Sequence, residues 1–521
     1  MRKLYIKIMQ NEVWWGGSSG SAVAQPYDVY SSLTVDVACE GNQSAPLFLS
    51  SKGRYLWGDS PFVVTFGNGL MTIEGDGVEL VQAGNCLKDA YLAAMKKHFP
   101  FEQKDLPESF FTTAQYNTWM EFTYNPTQKS VLEYAHAIVD NGYQPGILII
   151  DEGWSIHYGT WEFDFLKFPD PKAMIDELHA LGFIVMLWIV PYVTLDGRDY
   201  LELAEPWVSG MKGKDYRRKL VRRPNGEVAI VQWWNGLSGM YNMCEKTDRE
   251  WLDAQLQHLM INYGVDGFKF DGGNIYELNK EKWIGEPPIE TAEALNKAWN
   301  DFGRRYTYHE YKDTYDRGGK ATIQRIRDRC HTWGKEGLQT LVPIALMQGL
   351  LGYPYVCPDM VGGGQWAFNL DPTFKADEEL FVRMAQCSAL FPMMQFSWAP
   401  WRLLGKEAQK LCLQAAKLHM KFSGKMIDLV KTTKITGEPI LRSLEYAYPH
   451  SGYERITDQF LLGEDILVCP VVEQGQRKRR LQLPIGEWRY VDGTVYVGGT
   501  EIEVDAPLCV LPYFERLKEK M

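Results

Sequence analysis

The stretch Val265-Asp266-Gly267-Phe268-Lys269-Phe270-Asp271-Gly272-Gly273-Asn274 decides the fold. It reads as a short buried strand that ends on a carboxylate and then breaks into glycines. In a (β/α)8 barrel the C-terminal edge of the strands is where chemistry is done, so Asp271 stands where a reacting group belongs. A second stretch, Gly146-Ile147-Leu148-Ile149-Ile150-Asp151-Glu152-Gly153-Trp154, repeats the design with acids, a glycine and an aromatic. A third, G-Y-P-Y-V-C-P-D-M-V-G-G-G from Gly352, closes an apolar run on Asp359 and then on glycines. One strand-end Asp is most simply the cap of the turn after it. Three of the same design describe a pocket rimmed with acceptors for sugar hydroxyls.

The chain around these stretches alternates strand and helix from about residue 108. Helices are expected over Thr127 to Asn141, over Pro171 to Leu181 with Gly182 closing the second, and over Asp248 to Tyr263. The runs between them, G-I-L-I-I-D and F-I-V-M-L-W-I-V-P, are nearly all apolar, the mark of parallel strands covered on both faces. Their number fits a closed barrel, and no glycine-rich dinucleotide fingerprint follows the first strand. Both flanks read as β. Before the barrel, short alternating runs are separated by turn signals such as W-W-G-G-S-S-G-S, and β patterns return after about 425. The expected fold is α/β: an N-terminal β domain over 1–107, a catalytic (β/α)8 TIM barrel over 108–424, and a C-terminal antiparallel β-sandwich over 425–521.

Composition narrows the partners. The 521 residues are 45% hydrophobic and 23% charged, enough for a large core and more than one domain. A net charge of −11 argues against nucleic acid, which asks for clustered Lys and Arg. The basic run Arg477-Lys478-Arg479-Arg480 reads as a solvated turn. Nine Cys without a C-x-x-C pair, several inside apolar runs (Cys357, Cys387, Cys469), point to a reducing compartment. With no signal-peptide pattern at the N-terminus and no membrane-length apolar run, a cytoplasmic protein is expected. The nine His show no H-x-x-x-H pair near the acids, so neither metal nor cofactor is expected. A homo-oligomer is compatible with all of this.

A glycosidase needs two carboxyl groups at the scissile bond, one ionised and one able to donate a proton. Asp271 suits the first role, with glycines that let a sugar approach its oxygens. Lys269, one alternation away on the same side of the strand, is placed to keep Asp271 ionised or else to form a structural ion pair. The second group is sought in R-I-R-D-R-C-H-T-W-G from Arg325, which offers Asp328, with Glu336 as the next choice. Arginines flank Asp328, and adjacent cations lower a carboxyl pKa where a general acid wants it raised. Their side chains must then point away or bind substrate. Asp151 and Asp359 are candidate hydroxyl acceptors. Trp188, Trp333, Trp398 and Trp401 offer faces that stack on a sugar ring or fill the core.

Two longer strings carry a family resemblance. F-D-F-L-K-F-P-D-P-K-A-M-I-D-E-L-H-A-L-G-F-I-V-M-L-W-I-V-P from Phe163 resembles the barrel of glycoside hydrolase family 31. D-Q-F-L-L-G-E-D-I-L-V-C-P-V-V from Asp458 resembles that family's segment after the barrel. The chain departs from most members at F-K-F-D-G-G-N, lacks their G-D-N acid segment, and reads M-Q-F-S-W-A-P-W (Met394 to Trp401) on the last strand. Those departures resemble the branch containing the myogenesis-regulating glycosidase and bacterial α-galactosidases. The resemblance implies a retaining exo-α-glycosidase acting on terminal α-galactosides, with Asp271 as nucleophile and Asp328 as acid, on an oligosaccharide or glycoside substrate. An α-glucosidase or α-xylosidase would use the same machinery. A transglycosylase would share the covalent intermediate, and a sugar-binding protein with weakened catalysis would share the fold.

Overall fold

The computed structural model describes residues 3–38, 41–204, 219–279, 283–367 and 373–517. Its contacts divide the chain into two compact units. One comprises Tyr116–Asn141 and Pro145–Tyr315; the other comprises Met1–Gln115, Gly142–Gln144 and Asp316–Met521.

The first unit is built from the strand–helix repeat. Strands Ile147–Ile150, Ile184–Ile189, Gly267–Phe270 and Tyr308–Tyr311 pair in parallel in that order. Their registers place Ile150 beside Leu187, Trp188 beside Lys269 and Phe270 beside Tyr311. Strands Ile147–Ile150 and Gly267–Phe270 are buried at every position, as near-continuous apolar runs require. The helices fall where expected: Gln128–Asp140 with Thr127 as N-cap, Pro171–Ala180 with Pro at its start, and Lys246–Tyr263. Gly182 and Gly264, both with positive φ, let the chain leave the last two helices. Two excursions leave the repeat. One is the hairpin of Ser155–His157 and Thr160–Phe163; the other is a three-stranded sheet of Tyr192–Thr194, Gly236–Met240 and Val231–Trp233.

The second unit opens with antiparallel sheet. Lys3–Lys7, Leu70–Glu74, Val63–Gly67 and Leu33–Asp36 form one layer. Trp14–Ser18 pairs with Gln43–Ser50, followed by Arg54–Gly58 and Val78–Gln82. W-W-G-G-S, expected as a turn, is therefore a buried strand. The reason lies in Gly16: a Cβ there would meet the Leu47 carbonyl oxygen at 2.2 Å, so the glycines serve close strand approach. A helix, Leu87–His98, also interrupts the region read as all β.

Further along, Ile323–Arg325 and Val356–Cys357 pair in parallel, and Val361 bridges Phe396 in parallel. The return to β expected at about 425 comes later, because helix Ser423–Thr436 runs on to Gly437, which closes it in a left-handed conformation. The closing sheet then forms six strands from Leu441–Arg442 to Tyr513–Arg516, with Lys478–Leu483 and Thr500–Asp505 as a separate antiparallel pair. Leu461, Leu467, Leu481, Trp488 and Phe514 share its core. The basic run Arg477 to Arg480 is mostly strand and not a solvated turn. Lys478 and Arg480 pair with Glu503, Arg479 with Asp458 and Arg477 with Glu379.

Cys357, Cys387 and Cys469 are buried thiols, and burial pushes Cys387 up to about 12. None of the described cysteines is in a disulfide with another; Cys39 lies outside the described residues. Among the described residues no helix is long and apolar enough to cross a membrane, and no group of acids, His and Cys has the makings of a metal site.

Candidate active site

Asp271 leaves its strand with its N–H donated to the Ile189 carbonyl at 2.9 Å, so the neighbouring strand fixes where the carboxylate begins. Oδ2 accepts the Trp188 indole N–H at 3.0 Å and Oδ1 accepts the Gly272 N–H at 2.9 Å. Each carboxylate oxygen thus accepts a hydrogen bond, and the residue is 6% exposed. These hydrogen bonds fix the orientation of the carboxylate at the strand end. Trp188 thus contributes its N–H to the acid, a role the sequence reading had given only to its aromatic face.

The glycines after Asp271 serve backbone geometry. Gly272 and Gly273 have φ of 62° and 68°, and a Cβ would meet the Tyr192 ring at 2.8 Å or the Trp299 ring at 2.9 Å. The Gly273 N–H donates to the Tyr192 hydroxyl at 2.8 Å, which donates to Glu277 Oε2 at 2.8 Å. Desolvation raises Glu277 to about 7, and its hydrogen bond with Tyr192 holds the turn after Asp271.

Of the two roles expected for Lys269, the structure shows the ion pair: its ammonium donates to Asp151 Oδ2 at 2.6 Å, both side chains being buried. The register explains this, because Lys269 lies beside Trp188, the next strand toward Asp151. Asn117 donates to the same Asp151 oxygen at 2.7 Å, and the Glu152 N–H donates to the other at 2.9 Å. The charge pair is fully engaged, as a buried pair must be to persist.

Glu152 is the residue the sequence reading passed over. It is 3% exposed, accepts the Tyr158 hydroxyl at 2.6 Å and accepts Asn235 at the same oxygen. Burial, more than the neighbouring Asp151 and Asp271 charges, pushes its carboxyl up to about 8. Its one sequence signal was adjacency to Asp151.

In the other unit Asp328 and Asp359 share one cation. Arg325 Nη1 donates to Asp359 Oδ1 at 2.6 Å and to Asp328 Oδ1 at 3.0 Å. Arg325 is a strand residue that the sequence reading left without a role. Of the two arginines beside Asp328, Arg329 points elsewhere, donating to the Lys335 carbonyl and pairing with Glu336 at 3.5 Å, and Arg327 is exposed. Asp359 Oδ2 accepts the Arg329 N–H at 2.6 Å and the Gly364 N–H at 2.7 Å. Both Asp359 oxygens therefore already hold protein donors, and burial raises its pKa against the pull of Arg325.

The remaining tryptophans have distinct settings. Trp398 is buried, stacked on Phe374 and edge-on to His331. Trp333 donates to Asp377 Oδ2 at 2.9 Å, and the Trp401 ring lies 5.7 Å from that of Tyr143. Glu336, the second choice for an acid, is largely exposed.

Comparison with known proteins adds the family. Residues 106–422 match the description "Glycosyl hydrolases family 31 TIM-barrel domain", and residues 437–517 match "Glycosyl hydrolase family 31 C-terminal domain". The parallel strands of both units thus fall within one TIM-barrel domain, the expected fold. The mouse (Mus musculus) "Myogenesis-regulating glycosidase" is 28% identical over 447 residues, 82% of this chain and 59% of the relative. The "SITS-binding protein" of Tetronarce californica is 33% identical over 319 residues, 56% of this chain and 42% of the relative. A solved Flavobacterium johnsoniae GH31 dextranase complexed with glucose superposes with a TM-score of 0.80 at 19% identity, covering 99% of this chain and 66% of that one. The chain spans about half the length of the curated relatives it matches.

Proposed function

The chain belongs to glycosyl hydrolase family 31, and from that premise we propose that it is a retaining exo-α-glycosidase acting on terminal α-galactosides. The observation that carries the reading is Asp271, a strand-end carboxylate held by the Trp188 indole and the Gly272 N–H beside the buried Asp151–Lys269 pair. Asp271 attacks the anomeric carbon as Asp328 gives a proton to the leaving oxygen, and water then releases the sugar with Asp328 as base. Asp151, Trp188, Lys269, Asp359, Trp333, Trp398 and Trp401 are the proposed substrate-binding residues. The support for Asp151, Trp188, Lys269 and Asp359 is position at or near a strand end together with chemical type, and for Trp333, Trp398 and Trp401 it is chemical type. The preference for galactose rests on the branch features F-K-F-D, P-D-M-V-G-G and M-Q-F-S.

Two other readings have specific support. Relatives described as "Alpha-glucosidase 2" and "Alpha-xylosidase XylQ" match at 25% and 22% identity, which favours another sugar on the same machinery. The match to a protein described as SITS-binding favours a binding role. A panel of nitrophenyl α-glycosides separates the three. The α-galactoside should be cleaved fastest; preference for the glucoside or xyloside replaces the sugar, and no turnover on any favours binding.

A further inference from the structure

The hairpin of Val231–Trp233 and Gly236–Met240 turns through Trp234 and Asn235, with Gly236 at a φ of 100°. Its tip is tied down at one place. Asn235 donates to Glu152 and to the Tyr158 hydroxyl at 3.0 Å, and its Oδ1 accepts the Tyr124 hydroxyl at 3.2 Å. The Tyr158 ring stands edge-on to Trp188 and to Trp233, at 5.9 and 5.0 Å. A chain of contacts therefore runs from the indole that donates to Asp271, through Tyr158, into the hairpin. Glu152 is where it closes, because one carboxyl oxygen accepts from both Tyr158 and Asn235.

We propose that Glu152 is a positioning residue for the sugar pocket: by accepting from Asn235 and Tyr158 together, it fixes the hairpin tip against the strand end that carries Asp151. The inference rests on the glycosidase reading above. Burial supports it, since a group raised to about 8 is neutral at pH 7. The charged and titratable groups facing it are Asp151 with its partner Lys269, Asp271, Tyr124 and Tyr158. The hairpin in turn carries Trp234, 45% exposed and packed on Trp233 at 4.9 Å. A tip left to swing would move that indole.

The test uses the full chain, with Glu152→Ala, Asn235→Ala and Glu152→Gln compared by kinetics on the best nitrophenyl glycoside and by amide hydrogen exchange. Loss of the hydrogen bonds that tie the hairpin tip should raise KM about tenfold in each Ala variant with kcat changed far less. Exchange across 231–240 should quicken. Glutamine retains an acceptor oxygen, so Glu152→Gln should restore both readouts to near wild type. Unchanged KM and exchange in Glu152→Ala overturn the proposal, as does a fall confined to kcat or a Gln variant as impaired as Ala. If wild type cleaves no glycoside, the glycosidase reading fails by itself, and exchange across the hairpin still decides the role of Glu152.

Discussion

Replacing Glu152 by Gln should make the protein's stability less sensitive to pH, and the size follows from the site. The carboxyl is buried and raised from 4.5 to about 8. Between those values the folded chain holds a proton that the unfolded chain has released, so stability falls as pH rises through this window. From about pH 4.5 to 7 the interval is about 2.5 pH units at about 1.4 kcal/mol each, or about 3 kcal/mol lost at this one group. An amide does not titrate, so Glu152→Gln escapes the loss and its advantage over wild type should grow from pH 4.5 to 7. For 521 residues at about 2.1 cal/mol/K each, that is a shift in Tm of about 3 °C. Calorimetry of both proteins across the range measures it. Parallel Tm curves, within about 1 °C at every pH, would refute the claim that Glu152 is a buried neutral acid.

Lys269→Met should cost about 3–5 kcal/mol by leaving Asp151 buried without its cation; Asp151→Asn in the same chain should recover part of the loss, read by thermal unfolding. Arg325→Met should destabilise by a comparable amount, since Asp359 and Asp328 lose their shared partner. Gly272→Ala should lower both stability and turnover, because a Cβ at that positive φ meets Tyr192 at 2.8 Å. Asp328→Ala should slow substrates with poor leaving groups far more than aryl or fluoride substrates, with azide restoring turnover as a glycosyl azide of retained configuration. Equal loss on both substrate types without azide rescue would leave Asp328 as only an ion-pair partner of Arg325.

Legibility in the sequence followed the range of the interaction. Asp271 and Asp151 could be read because strand, carboxylate and glycine are contiguous. The helices Gln128–Asp140 and Pro171–Ala180 could be read from their caps. Glu152 could not, because its burial depends on a hairpin more than eighty residues on. Alternation along one strand left Lys269 open between Asp271 and a structural ion pair, because its partner is set by pairing between strands. Arg325 looked like any strand residue until the strand Val356–Cys357 placed Asp359 beside it. W-W-G-G-S misled because the same glycines that signal a turn also admit a neighbouring strand.

The central claim is that Asp271 is the nucleophile of a retaining enzyme. Treatment with a mechanism-based α-galactosyl fluoride, digestion and mass spectrometry test it directly. The claim predicts one covalent sugar on the peptide containing Asp271, and none on the same peptide of Asp271→Asn. A label on another carboxylate, or an active enzyme that releases product with no covalent sugar at any stage, would contradict it.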